Sequence, residues 1–223
     1  METKKQTRSS EAQPAERESV TPARGGDAPI MKPYELARVD ARVRVNKAYK
    51  MFVNGAFVRS ESGRYFQVKG APDREDADPE TVNVPRGSRK DVRDAVLAAK
   101  NAWPGWEQRS AYNRGQILYR LAEVMESRRP ELVQSLVRGG QSAEAAVSEV
   151  EVAIDRVVFY AGFADKFYAL LASSNPVAGP HFNFSIPEAM GTIGVVAPDR
   201  PALLGLVSTI LPVVTGGNTV VAL

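Results

Sequence analysis

Few residues in this chain are placed to do chemistry. The run Pro198-Asp199-Arg200-Pro201 lies between an apolar strand-like segment, Thr192–Val196, and an uncharged helical one, Pro201–Val214. A guanidinium where a strand ends and a helix begins sits near a natural anion seat, because the free N–H groups and dipole of the helix add to its own charge. Two uses are open to Arg200: an anion such as a cofactor phosphate, or a surface ion pair with Asp199. Much of the remaining chemistry is defined by absence. The 223 residues contain no cysteine and one histidine, His181. A thiol nucleophile, a disulfide and a thiolate metal site are therefore excluded, and so is a multi-histidine metal site. His181 precedes a strand and has no evident catalytic partner, so it reads as an ordinary surface or hydrogen-bonded histidine.

The elements that must position Pro198–Arg200 are legible. Residues Gly191–Leu223 read as strand, turn, apolar helix and second strand, Thr219–Leu223. Such a unit sets two parallel strands side by side under a crossover helix and begins a nucleotide-binding α/β sheet. A hydrophobic strand at a sheet edge is normally covered, so part of the sheet is expected to be missing from these residues. The run Pro201–Leu223 carries no charge and has the length of a bilayer crossing. Pro212, Gly216, Gly217 and Asn218 would interrupt a lipid-exposed helix, and Gly216-Gly217-Asn218 reads better as a helix stop and a turn into a strand.

Upstream, Phe52–Val58 carries Asn54-Gly55 between short apolar runs, a hairpin signal. Tyr65–Val68 and Val82–Val84 read as strands on either side of an acidic loop, residues 72–80. Four helices follow. Ser88 caps the first with Asp91 three residues on. Its apolar face is Val92, Ala95, Val96, Ala99 and Trp103, and Pro104-Gly105 ends it. Trp103 and Trp106 read as core and helix-stop packing rather than a base-stacking platform. The second starts near Ser110 with Ile117, Leu118, Leu121, Val124 and Met125 inward. Pro130 opens the third, which runs to Gly139-Gly140. Ser142 opens the fourth, with Val150, Ile154, Val157 and Ala161 in register. Ser173–Pro180 reads as turn. Phe182, Phe184 and Ile186 then share one face of a strand.

The composition is that of a globular α/β protein, 43% hydrophobic. Residues 1–30 balance five basic against five acidic side chains, lack hydrophobic periodicity, and read as a disordered tail. Residues 31–47 read as a basic arm with a possible short helix. Over 31–50 the charges are Lys32, Arg38, Arg42, Arg44, Lys47 and Lys50 against Glu35 and Asp40. A solvated arm explains them without nucleic acid. No apolar signal-peptide core begins the chain, so a cytoplasmic location is expected.

Taken in order, these landmarks resemble the N-terminal half of the aldehyde dehydrogenase superfamily. FVNGAFVRSESGR resembles its opening hairpin, SRKDVRDAVLAAKNAWPGW with NRGQILYRLAEVM its first helical pair, and PEAMGTIGVVAP with GGNTVV its first cofactor-binding βαβ. The resemblance covers residues 48–223. It implies a partial fold of this type: a hairpin and helices leading into the first βαβ of a Rossmann-like NAD(P)-binding domain. It also implies the family reaction, NAD(P)-dependent oxidation of an aldehyde to an acid. In the family a cysteine thiolate attacks the aldehyde, an Asn amide and a backbone N–H hold the oxyanion, and a glutamate activates water. The cysteine and glutamate belong to the family's second half.

The resemblance implies that Val196, Ala197, Pro198, Asp199 and Arg200 line the cofactor groove, the first three mainly through backbone. It also exposes two departures. The family's Pro-Trp-Asn-(Phe/Tyr)-Pro run stands here as Pro198-Asp199-Arg200-Pro201-Ala202, so Arg200 replaces the oxyanion-binding Asn. A long charged stem does not reproduce the reach of a short amide. Leu223 stands where a ribose-binding Lys is usual. The expectations are therefore weak or absent NAD or NADP binding and no catalytic residue in this chain. It would act either as a truncated member or as a non-catalytic pseudoenzyme subunit. Its partners would be a second copy or an aldehyde dehydrogenase-like chain, with no nucleic acid and no membrane. Family members oligomerise near Phe182–Ile186, and intramolecular packing of that strand is the alternative.

Overall fold

The structure, a computed structural model, describes residues 46–70 and 81–223. The tail expected over 1–30, the helix expected within 33–47 (to residue 45) and the acidic loop 72–80 lie outside the described residues. The first elements are two antiparallel pairs: β1 (Met51–Val53) with β2 (Ala56–Val58), and β3 (Tyr65–Lys69) with β4 (Thr81–Pro85). Asn54 and Gly55 turn the first hairpin with φ of 52° and 75°. Both values lie in the left-handed region that such a two-residue turn requires. Phe52 and Phe57 face each other across the pair with ring centroids 5.1 Å apart.

Helix α1 (Arg89–Glu107) begins at the expected Ser88–Asp91 capping box. It does not end at Pro104-Gly105 but continues through both to Glu107. Proline here removes one bond near the end of the helix, while the Trp106 indole N–H donates to the carbonyl of Val214 at 2.9 Å and anchors the last turn. The inward face also differs from expectation. Ala95, Ala98, Ala99, Trp103 and Trp106 are half-buried, whereas Val92 and Val96 are exposed.

Helix α2 (Ala111–Ser127) is capped by Ser110 and buries Arg114, Gly115, Leu118, Ala122 and Met125. Leu118 and Met125 are inward as expected, but Ile117, Leu121 and Val124 are exposed. The small residues Gly115 and Ala122 choose the face, because they let the backbone approach its neighbour. That neighbour is α4 (Ala143–Phe163), capped by Ser142, with Val150, Ile154, Val157 and Ala161 all buried as the spacing predicts. Between them runs α3 (Arg129–Arg138), with Pro130 in its first turn and Gly139 at its end. The core is helical and lies around α4. Leu118, Ala122, Met125 and Leu136 meet Ala146, Val150, Ala153 and Val157, and Leu211 joins them from near the C-terminal end of the sequence.

After a short helix α5 (Phe167–Leu171), Ser173–Asn175 forms strand β5 rather than the expected turn. It pairs antiparallel with β6 (Asn183–Ser185). The side-chain amide of Asn175 bonds both Asn183 and Ser185 across the pair, which explains how so polar a segment is held extended. The expected strand–helix–strand follows: β7 (Thr192–Val195), α6 (Ala202–Thr215) and β8 (Thr219–Ala222). β7 and β8 are parallel, with Thr192 opposite Thr219. Gly216 ends α6, Gly217 turns with φ of 86°, and Asn218 Oδ1 accepts the N–H groups of Met190 (2.6 Å) and Gly191 (3.0 Å). No helix among the described residues is long and apolar enough to cross a membrane.

Candidate cofactor-binding site

The site begins where β7 leaves the sheet. The N–H of Leu223 donates to Val195 O at 3.0 Å, and the N–H of Ala197 donates to Leu223 O at 2.8 Å. The ladder therefore runs two residues past the end of β7 and holds Ala197 at its rim. Val196 points away, 77% exposed. The ring of Pro198 lies on Gly205 in the first turn of α6. A Cβ at Gly205 would overlap Pro198 Cγ, so only glycine permits this approach. Asp199 and Arg200 are exposed. No ion pair joins Arg200 to Asp199 or to any other described residue. The five residues Val196 to Arg200 thus form one continuous irregular stretch from the end of β7 to the start of α6, tied to the end of β8 at Ala197.

Helix α6 has no charged side chain, and its N-cap, Pro201, makes no side-chain cap. Its end charges come from elsewhere. Glu149 of α4, 8% exposed, accepts the N–H groups of Leu203 (2.7 Å) and Leu204 (3.1 Å) on one carboxylate oxygen. Its other oxygen accepts from Gln141 Nε2 at 2.6 Å. Burial pushes the carboxyl pKa up. The bonds from Gln141, Leu204 and Leu203 outweigh it, so the group lies below the usual carboxylate range. At the other end stands Arg114 of α2, 3% exposed. It donates to the carbonyls of Thr215 (3.3 Å), Glu107 (3.3 Å) and Arg109 (2.6 Å). One guanidinium thereby satisfies the last carbonyls of both α1 and α6, where a cation is favoured.

These two residues escaped the sequence reading, although a signal was present. Glu149 falls three residues after Ala146 and four before Ala153, on the buried stripe of α4. Arg114 falls four before Leu118. A charge on an apolar stripe requires a buried partner. The arrangement offers backbone groups, carboxylates and guanidinium groups, and it holds no thiol and no imidazole. Among the described residues no group of acidic or histidine side chains could hold a metal ion, and His181 is exposed.

A cavity of about 770 Å³ is lined by the β1–β2 hairpin, α1, β8 and residues of α2 and α6, and Arg200 is not among its walls. Ala95, Ala99, Leu121, Leu211 and Val220 give it an apolar wall.

The aldehyde dehydrogenase family model matches residues 65–222. The chain belongs to the aldehyde dehydrogenase family. Retinal dehydrogenase 2 of Gallus gallus is 32% identical over 180 residues, 78% of this chain and 33% of that protein. An aldehyde dehydrogenase of Davidiella tassiana is 31% identical over 174 residues, 77% of this chain and 34% of its own. Among solved structures, PnpE in complex with nicotinamide adenine dinucleotide is similar with a TM-score of 0.71 and 25% identity, over 78% of this chain and 35% of that one. The NAD+ complex of the Bacillus cereus aldehyde dehydrogenase has the same fold, with a TM-score of 0.70 over 86% of this chain and 37% of that one. The chain therefore spans about a third of the length of these relatives. The aldehyde dehydrogenase match includes the βαβ unit and the helices that cap it. The β1–β2 hairpin precedes it.

Proposed function

We propose that this chain supplies the helical part and the first nucleotide-binding βαβ of an aldehyde dehydrogenase-type protein, and that as a separate polypeptide it oxidises no aldehyde. One observation carries the second half: the 223 residues contain no cysteine. Without a thiolate no thiohemiacetal forms, and without that adduct the hydride has no tetrahedral carbon to leave. The exposed guanidinium at Arg200, in the place of the family's Asn, supports the same reading. It is free to move in water, so it is not a fixed donor aimed at an oxyanion.

Cofactor binding is read from the same turn. The relatives' structures include NAD complexes. Here the backbone of Val196–Pro198 and the Val196 side chain offer surface to a ring or a ribose. At the start of α6 the N–H groups of Leu203 and Leu204 already meet Glu149, and Leu223 stands where a ribose-binding Lys is usual. We therefore expect NAD or NADP to bind weakly or not at all.

A docking role is favoured by a separate observation. The expected strand is shorter, only Phe184 of the three lying within β6, yet Phe182, Phe184 and Ile186 are 79%, 55% and 55% exposed at a sheet that has two strands among the described residues. Such a strand suits pairing with a second copy or with an aldehyde dehydrogenase-like chain. The test is purification of the 223-residue chain, assay with NAD and NADP against an aldehyde panel, and calorimetric titration of both cofactors. No reduced cofactor above background and no micromolar binding are expected. Turnover by contaminant-free protein would overturn the proposal.

A further inference from the structure

We propose that the far edge of β8 is a docking groove for an extended, uncharged apolar segment of another polypeptide, which joins β7 and β8 as a further strand. Such docking stands whether or not a dinucleotide binds. In a parallel pair, every second residue of a strand bonds to its neighbour. The N–H groups of Thr219 and Leu223 donate to Gly191 O at 2.9 Å and to Val195 O at 3.0 Å, so the odd-numbered residues of β8 face β7. The N–H and C=O groups of Val220 and Ala222 therefore point the other way, and β8 has no second neighbouring strand among the described residues. The cavity of about 770 Å³ lies at this edge. Five consecutive residues, Thr219–Leu223, line it, whereas no residue of β7 does. A cavity over one face of the strand would meet alternate side chains instead.

The walls restrict what fits. Helix α1 contributes the small side chains of Ala95, Ala98, Ala99 and Ala102, and α6 contributes Ile210 and Val214. The one charged residue in the lining is Asp91, and its carboxylate already accepts from the Ser60 hydroxyl and the N–H groups of Glu61 and Ser88. A charge entering the groove finds no free partner, so the occupant is uncharged. A hydrocarbon would fill the volume but leave the outward N–H and C=O groups of two residues unanswered in apolar surroundings. An extended backbone answers all four and lays its side chains against α1 and α6. Thr219–Leu223 runs about 17 Å, the length of a five-residue strand. A second copy of this chain is a poor occupant. Its β3 carries Lys69, β4 ends on Pro85, and β1, β2, β5 and β6 have three residues each. Only β7 and β8 are longer and uncharged, and both already pack on α1 and α6. A second copy would bring those helices into a groove walled by the same pair.

The experiment titrates the whole chain with a blocked peptide whose core, Val-Ile-Val-Ala-Val, lies between paired lysines that stay in water. Amide hydrogen exchange is the readout. Saturating peptide should slow the Val220 and Ala222 amides about tenfold or more. The same peptide, N-methylated throughout its core, has no backbone donors there and should bind at least about tenfold more weakly. Ala222→Pro removes one outward N–H and leaves the bonds to β7 in place, as a proline on a sheet edge does. It should keep the helical circular dichroism of the wild type and lose about tenfold in peptide affinity. If it does not fold, Ala95→Arg decides, because arginine suits a helix and its long stem fills the groove; it should weaken binding in the same way. No saturable binding, or equal affinity for the N-methylated peptide, overturns the proposal. So does unchanged affinity in a folded variant. Concentration-dependent protection of Val220 and Ala222 in the chain alone also overturns it, since a second copy is then the occupant.

Discussion

Gly115 in α2 lies so close to Ala161 in α4 that a Cβ on the glycine would sit 2.7 Å from the Ala161 carbonyl oxygen. The two helices meet backbone to backbone, with the Ala164 methyl 3.5 Å from the same point. Gly115→Ala therefore tests two opposed effects. Alanine gains up to about 1 kcal/mol of helix propensity. Separating two main chains in a packed core costs about 1–3 kcal/mol. The opposing atom is backbone and cannot rotate away, so the clash wins. We expect a lower melting temperature. A variant as stable as the wild type would mean that the helices slide apart at no cost.

Arg114 is buried with three carbonyls and with no carboxylate in ion-pair range among the described residues. Arg114→Met should destabilise the fold by roughly 2–4 kcal/mol, since it leaves the ends of α1 and α6 without a donor. Arg114→Lys should recover only part of this. A compact ammonium on a flexible stem does not reproduce the planar fork that reaches all three. Denaturant unfolding of both variants checks the ranking. Equal stability of the lysine variant and the wild type would remove the fork geometry from the explanation.

Acid should weaken the fold through two carboxylates. The backbone N–H groups of Glu61 and Ser88, with the Ser60 hydroxyl, hold Asp91 well below the usual carboxylate range. Glu149 is also lowered. A depressed folded pKa means that the stabilisation is complete above the unfolded carboxylate range, about pH 4, and is lost as pH falls below it. Melting temperature should thus be flat near neutrality and fall below about pH 4. Asp91→Asn should flatten part of that fall. An unchanged acid limb in this variant would exclude Asp91 as a contributor.

The exposed aromatic strand predicts self-association. The chain should scatter light as more than a monomer, and Phe182→Ser with Phe184→Ser should shift it toward the monomer without changing the helical circular dichroism. A monodisperse monomer at high concentration with one cooperative melt, in the unaltered chain, would rule out this role for the strand.

Local rules made much of the architecture legible. Asn54-Gly55, the Ser88–Asp91 box, the caps at Ser110 and Ser142, and Gly216-Gly217-Asn218 are contacts between near neighbours, and each lies where the spacing places it. The misplacements involve partners distant in sequence. Pro104 reads locally as a stop, yet Trp106 is fastened to Val214. Ile117, Leu121 and Val124 form a reasonable apolar stripe, yet Gly115 and Ala122 decide which side of α2 meets α4. Ser173–Asn175 looks like turn, yet Asn175 finds its bonds on β6. Val196–Arg200 lie between β7 and α6, where the order of strand and helix in the sequence places them. Glu149 and Arg114 act on residues 54 and 101 positions away and so left only the faint signal of a charge on a buried stripe.

The way α6 is terminated bears on how this fold can be cut and transplanted. Residues Gly191–Leu223 look like a portable cassette, but both groups that finish their helix are owned by α2 and α4. A graft of the βαβ alone would arrive with bare ends, its first N–H groups open to any passing anion and its last carbonyls unanswered. The smallest unit that travels intact must begin before Arg114. A designer who wants only the two strands has to supply one acid and one base from the host scaffold.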